Sequence, residues 1–204
     1  MANPLIEIME NLGRPKVLVV GDLILDRYIW GNAERISQEA PVLLLHADQR
    51  EERLGGAASV ASMLSALEAD VCLAGILGDD DSSGRCRRLL DQFHIDHDLV
   101  LCDASRPSTL KERYIGRAQQ KHPQQILRVD YEVRHAIEGG LADRLAERME
   151  ARMGEFDVVL ISDYDKGVCT PPLLSRLIAA ARKQNKRVLA DPIRGGDYQS
   201  RYRE

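Results

Sequence analysis

Apolar residues gather in short uninterrupted runs, each closed by a glycine or a polar residue. Lys16–Val20 runs into Gly21-Asp22, and Val71–Ile76 into Gly78 and the triplet Asp79-Asp80-Asp81. Asp157–Ile161 runs into Ser162-Asp163-Tyr164, and Arg187–Ala190 into Asp191-Pro192. Runs of this length without alternation suit strands buried on both faces of a parallel sheet. Between them the apolar period lengthens. The Ala-rich segment from Gly56 to Leu67 places Val60, Leu64 and Leu67 on one face. Ser82 to Phe93 carries Cys86, Leu89, Leu90 and Phe93 at helical spacing behind an Asp81 or Ser82 cap, and Leu141, Leu145, Met149 and Met153 recur every fourth residue. Thr170-Pro171 reads as an N-cap followed by a first-position proline, leading Leu173, Leu174, Leu177 and Ile178. Strand and helix alternate, which predicts an α/β fold with right-handed crossovers.

Two stretches break the alternation. Residues 28–53 contain Pro41–His46 and little helical pattern; residues 108–131 contain Thr109–Ile115 and Ile126–Asp130 around a polar segment. Both read as half-exposed strands that pair into a small separate sheet standing off the main one.

Composition narrows the class. The 204 residues suit one domain with a sizeable core. A net charge of -4 argues against nucleic acid or an anionic membrane as partner, and no apolar run approaches the roughly 20 residues of a membrane helix. The N-terminal stretch carries Glu7 and Glu10 among its apolar residues, so it reads as an amphipathic lead-in helix rather than a signal peptide. Four cysteines without a CxxC pair read as reduced thiols, and the expected location is cytoplasmic.

Ligands of open α/β sheets bind at the carboxyl ends of the strands. The polar residues expected there are Asp22, Asp26, Gly55-Gly56, Asp79 to Asp81, Asp163, Lys166 and Asp191. Converging carboxylates suit a polyhydroxylated ligand, because each accepts hydrogen bonds from neighbouring hydroxyls. Taken singly, an Asp in such a place is more often a cap or turn residue, least so Asp26, where the following Arg27–Trp30 is extended. Gly55-Gly56 opens a helix and lets a ligand approach free N–H groups. Lys111, Arg113 and Arg117 share one strand face, either to hold an anion such as phosphate or to keep an edge from pairing. The Asp triplet reads as a solvated loop with a cap, no metal site is expected, and neither a P-loop nor a dinucleotide fingerprint occurs.

Taken in order, Val19–Tyr28 (VVGDLILDRY), Arg35–Val42 (RISQEAPV) and Glu51–Ala58 (EERLGGAA) resemble the ribokinase-like (PfkB) carbohydrate kinases. The likeness is closest to the heptose-7-phosphate kinase domains of bifunctional ADP-heptose synthases. Arg113–Gln120, Ser162–Gly167 and Asp191-Pro192 continue it, so the resemblance spans roughly residues 15–203. It implies a parallel sheet flanked by helices, with a small β lid formed by strands about 28–53 and 108–131 inserted in a core running through 1–204. It also implies phosphorylation of a sugar hydroxyl with ATP and Mg2+, a sugar phosphate as partner, and a homodimer formed through the lid. By the same resemblance Asp22, Asp26, Gly55, Gly56 and Ser59 surround the sugar, Lys111, Arg113 and Arg117 reach its phosphate, and Gln119 is a further substrate-binding residue. Asp163 and Lys166 then lie near the junction with the nucleotide, and Asp191 and Arg194 on the nucleotide side.

The sequence departs from the family pattern at several of these positions. Ser59 stands where Asn is common, Arg117-Ala-Gln-Gln120 replaces Arg-Asn-Gln-Gln, and Asp191-Pro-Ile-Arg194 replaces Asp-Pro-Lys. The Gly-Ala-Gly-Asp loop that supplies the family's catalytic base does not occur in the chain, so the C-terminal part of the fold is expected to be missing and the chain inactive alone. Two other readings are a non-catalytic sugar-phosphate binder or subunit, and a PfkB-type kinase for another sugar.

Overall fold

The computed structural model describes residues 6, 11, 13–117, 122–192 and 202. Most of the expected lead-in helix, together with Gln119 and Arg194, lies outside the described residues.

The four apolar runs, joined by a fifth strand that the sequence pattern does not single out, form a wholly parallel sheet. Its strands are β1 (Lys16–Gly21), β4 (Asp70–Leu77), β5 (Asp96–Cys102), β8 (Val158–Ser162) and β9 (Arg187–Asp191), in the order β5-β4-β1-β8-β9. Among the described residues four helices cover it: α1 (Ala57–Ala66), α2 (Asp81–Gln92), α3 (Gly139–Arg152) and α4 (Pro171–Lys183). Alternate residues of β1 face opposite cores, as the two-residue period of a strand requires. Leu18 and Val20 pack with Leu145, Met149, Leu174 and Leu177 of α3 and α4, while Val17 and Val19 pack with Ala57, Ala61, Cys86 and Leu90 of α1 and α2.

The helices differ from expectation in two details. The α1 face that sinks into the core is Ala57, Ala58 and Ala61, while Leu67 is 76% exposed. Alanine lets the helix approach the sheet closely, so the larger residues are left at its margins. The cap of α2 is Asp80, whose Oδ1 accepts the Ser83 N–H at 2.8 Å. Thr170 caps α4 as expected, with Pro171 at the first helical position. The last strand also departs from its reading as fully buried. β9 is the sheet edge; Val188 packs on the core, but Leu189 is 55% exposed because no described element covers its other face.

The remaining stretches form a second sheet, β3-β2-β6-β7, from β2 (Leu23–Ile36), β3 (Leu43–Gly56), β6 (Thr109–Arg117) and β7 (Gln124–Tyr131). β2 pairs antiparallel with β3 and parallel with β6, and β6 pairs antiparallel with β7. β2 begins five residues before the expected position and β3 ends three residues after it. The run Leu23-Ile24-Leu25 follows β1 so closely that Asp22 alone separates the two strands. On the face toward α2, Arg27 ties three strands together. It donates to Glu52 of β3 at 2.7 Å and Glu112 of β6 at 2.6 Å, and Arg85 of α2 also reaches Glu52. Burial works against these charges, but the mutual hydrogen bonds outweigh it, lowering the pKa of Glu52 and raising that of Arg27.

Candidate functional site

The opposite face of the second sheet collects most of the chemistry. In the β2–β6 ladder Asp26 is the register partner of Lys111 and Tyr28 that of Arg113, so these four side chains share one face. Arg113 Nη1 donates to Asp26 Oδ1 at 2.5 Å, and its guanidinium lies 5.3 Å from the Tyr28 ring centroid. Arg53 lies over the same ring at 5.1 Å. Tyr28 stacks on Trp30 with centroids 6.4 Å apart, and the Trp30 indole N–H is buried without a hydrogen-bond partner among the described residues.

Gly55 is what lets Asp26 sit there. A Cβ on Gly55 would stand 2.6 Å from Asp26 Oδ2 and 3.0 Å from its Cγ, so only glycine leaves room for that carboxylate. Gly56 has φ 57°, and a Cβ there would collide with the Asp22 carbonyl, to which Ala57 N–H donates at 2.9 Å.

Lys111 leads from this sheet to the main one. Its Nζ reaches Asp130 Oδ2 at 3.2 Å and Glu132 Oε2 at 3.5 Å. Glu132 Oε1 accepts from Lys166 Nζ at 2.8 Å, and Lys166 belongs to the loop after β8. Burial opposes the charge on Glu132, but hydrogen bonds from Lys166 and Arg134, with the nearby charge of Lys111, hold its carboxyl at about 2. Asp26, Lys111 and Arg113 therefore share a half-buried face beside Gly55, and Glu132 links Lys111 to the buried Lys166.

Other expected residues lie elsewhere. Asp22 is 1% exposed, and its carboxylate folds the loop after β8. Its Oδ2 accepts N–H groups of Tyr164 at 2.8 Å and Lys166 at 3.1 Å, and its Oδ1 accepts that of Val168 at 3.2 Å. Burial pushes its pKa above the ordinary value despite these bonds. Asp22 is a loop-forming group, and the expectation that it meets sugar hydroxyls gives way to that role. Asp163 is likewise engaged, accepting from Asp165 N–H at 2.9 Å and from the Tyr202 hydroxyl at 2.6 Å. Arg117 pairs with Asp48 six residues along β6 from Lys111, about 20 Å away at the rise of a strand. Ser59 is half-buried in the first turn of α1. The three cations of β6 do share a face, but each already holds a carboxylate: Lys111 with Asp130 and Glu132, Arg113 with Asp26, Arg117 with Asp48. Sequence reasoning missed Asp130, Glu132, Tyr28 and Trp30. The alternation Asp26-Tyr28-Trp30 was a readable signal, whereas nothing in the sequence marks Glu132.

Asp22, Asp163 and Cys169 place one ligand atom each within 4.8 Å of one another. The set does not suit Mg2+, which takes oxygen ligands: one member is a thiol and both carboxylates already accept N–H or O–H groups. Asp191 lies exposed at the end of β9. One exposed carboxylate offers no counter-charge to a triphosphate.

This two-sheet arrangement is the ribokinase-like fold. The Thermotoga maritima 2-dehydro-3-deoxygluconokinase structure superposes with TM-score 0.63 at 17% identity, over 93% of this chain and 53% of that one. The structure of Arabidopsis thaliana ribokinase complexed with ribose and ATP gives TM-score 0.59 at 16% identity, over 90% of this chain and 54% of that one. The pattern of the pfkB family of carbohydrate kinases matches residues 14–204, and the chain belongs to that family. It is similar to the bifunctional protein HldE of Helicobacter pylori strain Shi470, 42% identical over 90% of this chain, and to HldE of Pelobacter propionicus, 40% identical over 96%. The chain spans 38% of the length of each of these two relatives.

Proposed function

We propose that the chain forms the sugar-phosphate-binding part of a heptose-7-phosphate kinase, the ATP- and Mg2+-dependent enzyme that makes heptose 1,7-bisphosphate for ADP-heptose and the lipopolysaccharide core. The observation that carries this reading is the Asp26–Arg113 pair beside Gly55, on a sheet face that also presents Lys111. A carboxylate for hydroxyls and cations for a phosphate then stand on one surface. The HldE relatives favour heptose over other sugars.

On this reading the second sheet is a lid over the sugar, and two copies pair through it in the cytoplasm. None of the four cysteines forms a disulfide, which fits a reducing location. Asp26 accepts sugar hydroxyls, Gly55 and Gly56 keep the backbone close, and Lys111, Arg113 and Lys166 meet the phosphate. ATP supplies the transferred phosphoryl group. Such transfer depends on positioned electrostatics, and these 204 residues contain no Gly-Ala-Gly-Asp run, so the chain alone is expected not to turn over.

Titration calorimetry with heptose 7-phosphate and with ATP tests the assignment. Binding of the sugar phosphate that weakens at least tenfold in Asp26→Asn supports it. Equal affinity in wild type and Asp26→Asn overturns it.

A further inference from the structure

Lys111 and Lys166 come from different sheets, and one carboxylate stands between them. Glu132 gives one oxygen to each ammonium, at 3.5 and 2.8 Å, and Arg134 adds two contacts at 3.1 Å. The side chains of Lys166, Glu132 and Lys111 are only 8%, 11% and 16% exposed. A carboxylate held by two ammoniums and a guanidinium occupies the position that an oxyanion from a ligand would take.

Three features distinguish Glu132 from a fixed structural acid. It follows the last residue of β7, so no sheet ladder holds its backbone. Lys111 keeps a second partner in Asp130 at 3.2 Å and stays in place if Glu132 leaves. Arg134 is 65% exposed, so it can follow the acid outward. Lys166 is the opposite case, because Glu132 is its ion-pair partner and its ammonium is buried. Removing that partner without replacement strands a buried charge, which is strongly unfavourable. Only an incoming anion relieves it.

Resting on the proposed sugar-phosphate site, we propose that Glu132 is a resident counter-ion which a phosphate-bearing ligand displaces from Lys111 and Lys166, so that this carboxylate selects phosphorylated over neutral sugars. Displacement also unties the second sheet from the loop after β8, which links ligand charge to the position of that sheet.

The test is calorimetric titration of inorganic phosphate into the wild-type chain and into Glu132→Gln. Gln keeps the shape but removes the competing charge, and its single amide oxygen can replace only one of the two carboxylate oxygens that accept from Lys111 and Lys166. Phosphate affinity is expected to rise at least tenfold in Glu132→Gln, the reverse of what loss of a merely structural acid would do. Unchanged or weaker phosphate binding overturns the proposal. If heptose 7-phosphate still binds wild type and depends on Asp26 in that case, the site survives and only the role of Glu132 falls. If Glu132→Gln does not fold, carboxyl carbon NMR of wild type decides. Saturating phosphate should move the Glu132 titration from about 2 toward the ordinary carboxylate range, and a titration that stays low overturns the displacement.

Discussion

Asp22 Oδ2 accepts the backbone N–H of Lys166 at 3.1 Å, joining residues 144 positions apart. The same carboxylate takes the N–H groups of Tyr164 and Val168, so one buried acid sets the path of the loop that delivers Lys166. Asp22→Ala leaves these donors without an acceptor and is expected to destabilise the chain by about 3 kcal/mol or more. Denaturant unfolding with an unchanged slope checks this, and a loss under about 1 kcal/mol would be incompatible with the role. Because its folded pKa is raised above 3.8, Asp22 favours the folded state less as pH climbs through the interval above that value.

The two adjacent glycines should fail differently. Gly55→Ala pushes on the Asp26 side chain, which can give way, so affinity for sugar phosphate should fall at least tenfold with a modest change in stability. Gly56→Ala meets the Asp22 carbonyl at a positive φ and is expected to destabilise by several times as much. Thermal melts alongside calorimetry separate the two, and equal melting temperatures would contradict the geometry.

Acid should loosen the tie through Glu132. Its folded pKa of about 2 lies below the ordinary 4.5, so its contribution to stability is complete above pH 4.5 and is lost as pH falls toward 2. Stability measured across that window should slope less in Glu132→Gln than in wild type. Parallel curves would show that the contact contributes nothing in solution.

Trp30, the chain's one tryptophan, sits on the candidate face with its indole N–H buried. Sugar phosphate bound over Tyr28 and Arg113 is expected to shift or quench its emission, and Asp26→Asn should abolish the response. Calorimetric binding with silent fluorescence would locate the ligand elsewhere.

The thiols give an independent check on packing. Cys102 is exposed, while Cys72, Cys86 and Cys169 are buried, and burial pushes Cys72 and Cys86 up to about 12. One thiol per native chain should react promptly with a disulfide reagent, and four after unfolding. Two or more prompt thiols would contradict the core.

Four of the five parallel strands, the covering helices and the order of family motifs are legible in the sequence, whereas β5 is not. Strand period, caps such as Thr170 and the Gly55-Gly56 pair are local signals, written by neighbouring residues. The sequence also places Lys111, Arg113 and Arg117 on one face, because alternation follows from strand geometry alone. What each charge meets follows from tertiary packing. Asp22 and Asp26 both read in the sequence as meeting a ligand, yet one is buried under three N–H groups and the other pairs with Arg113 on a half-buried face. Glu132 carries no mark until the chain returns from β7 and sets it between lysines of two sheets. Charge pairing depends on distances across the fold, and such distances are fixed by packing rather than by any run of adjacent residues.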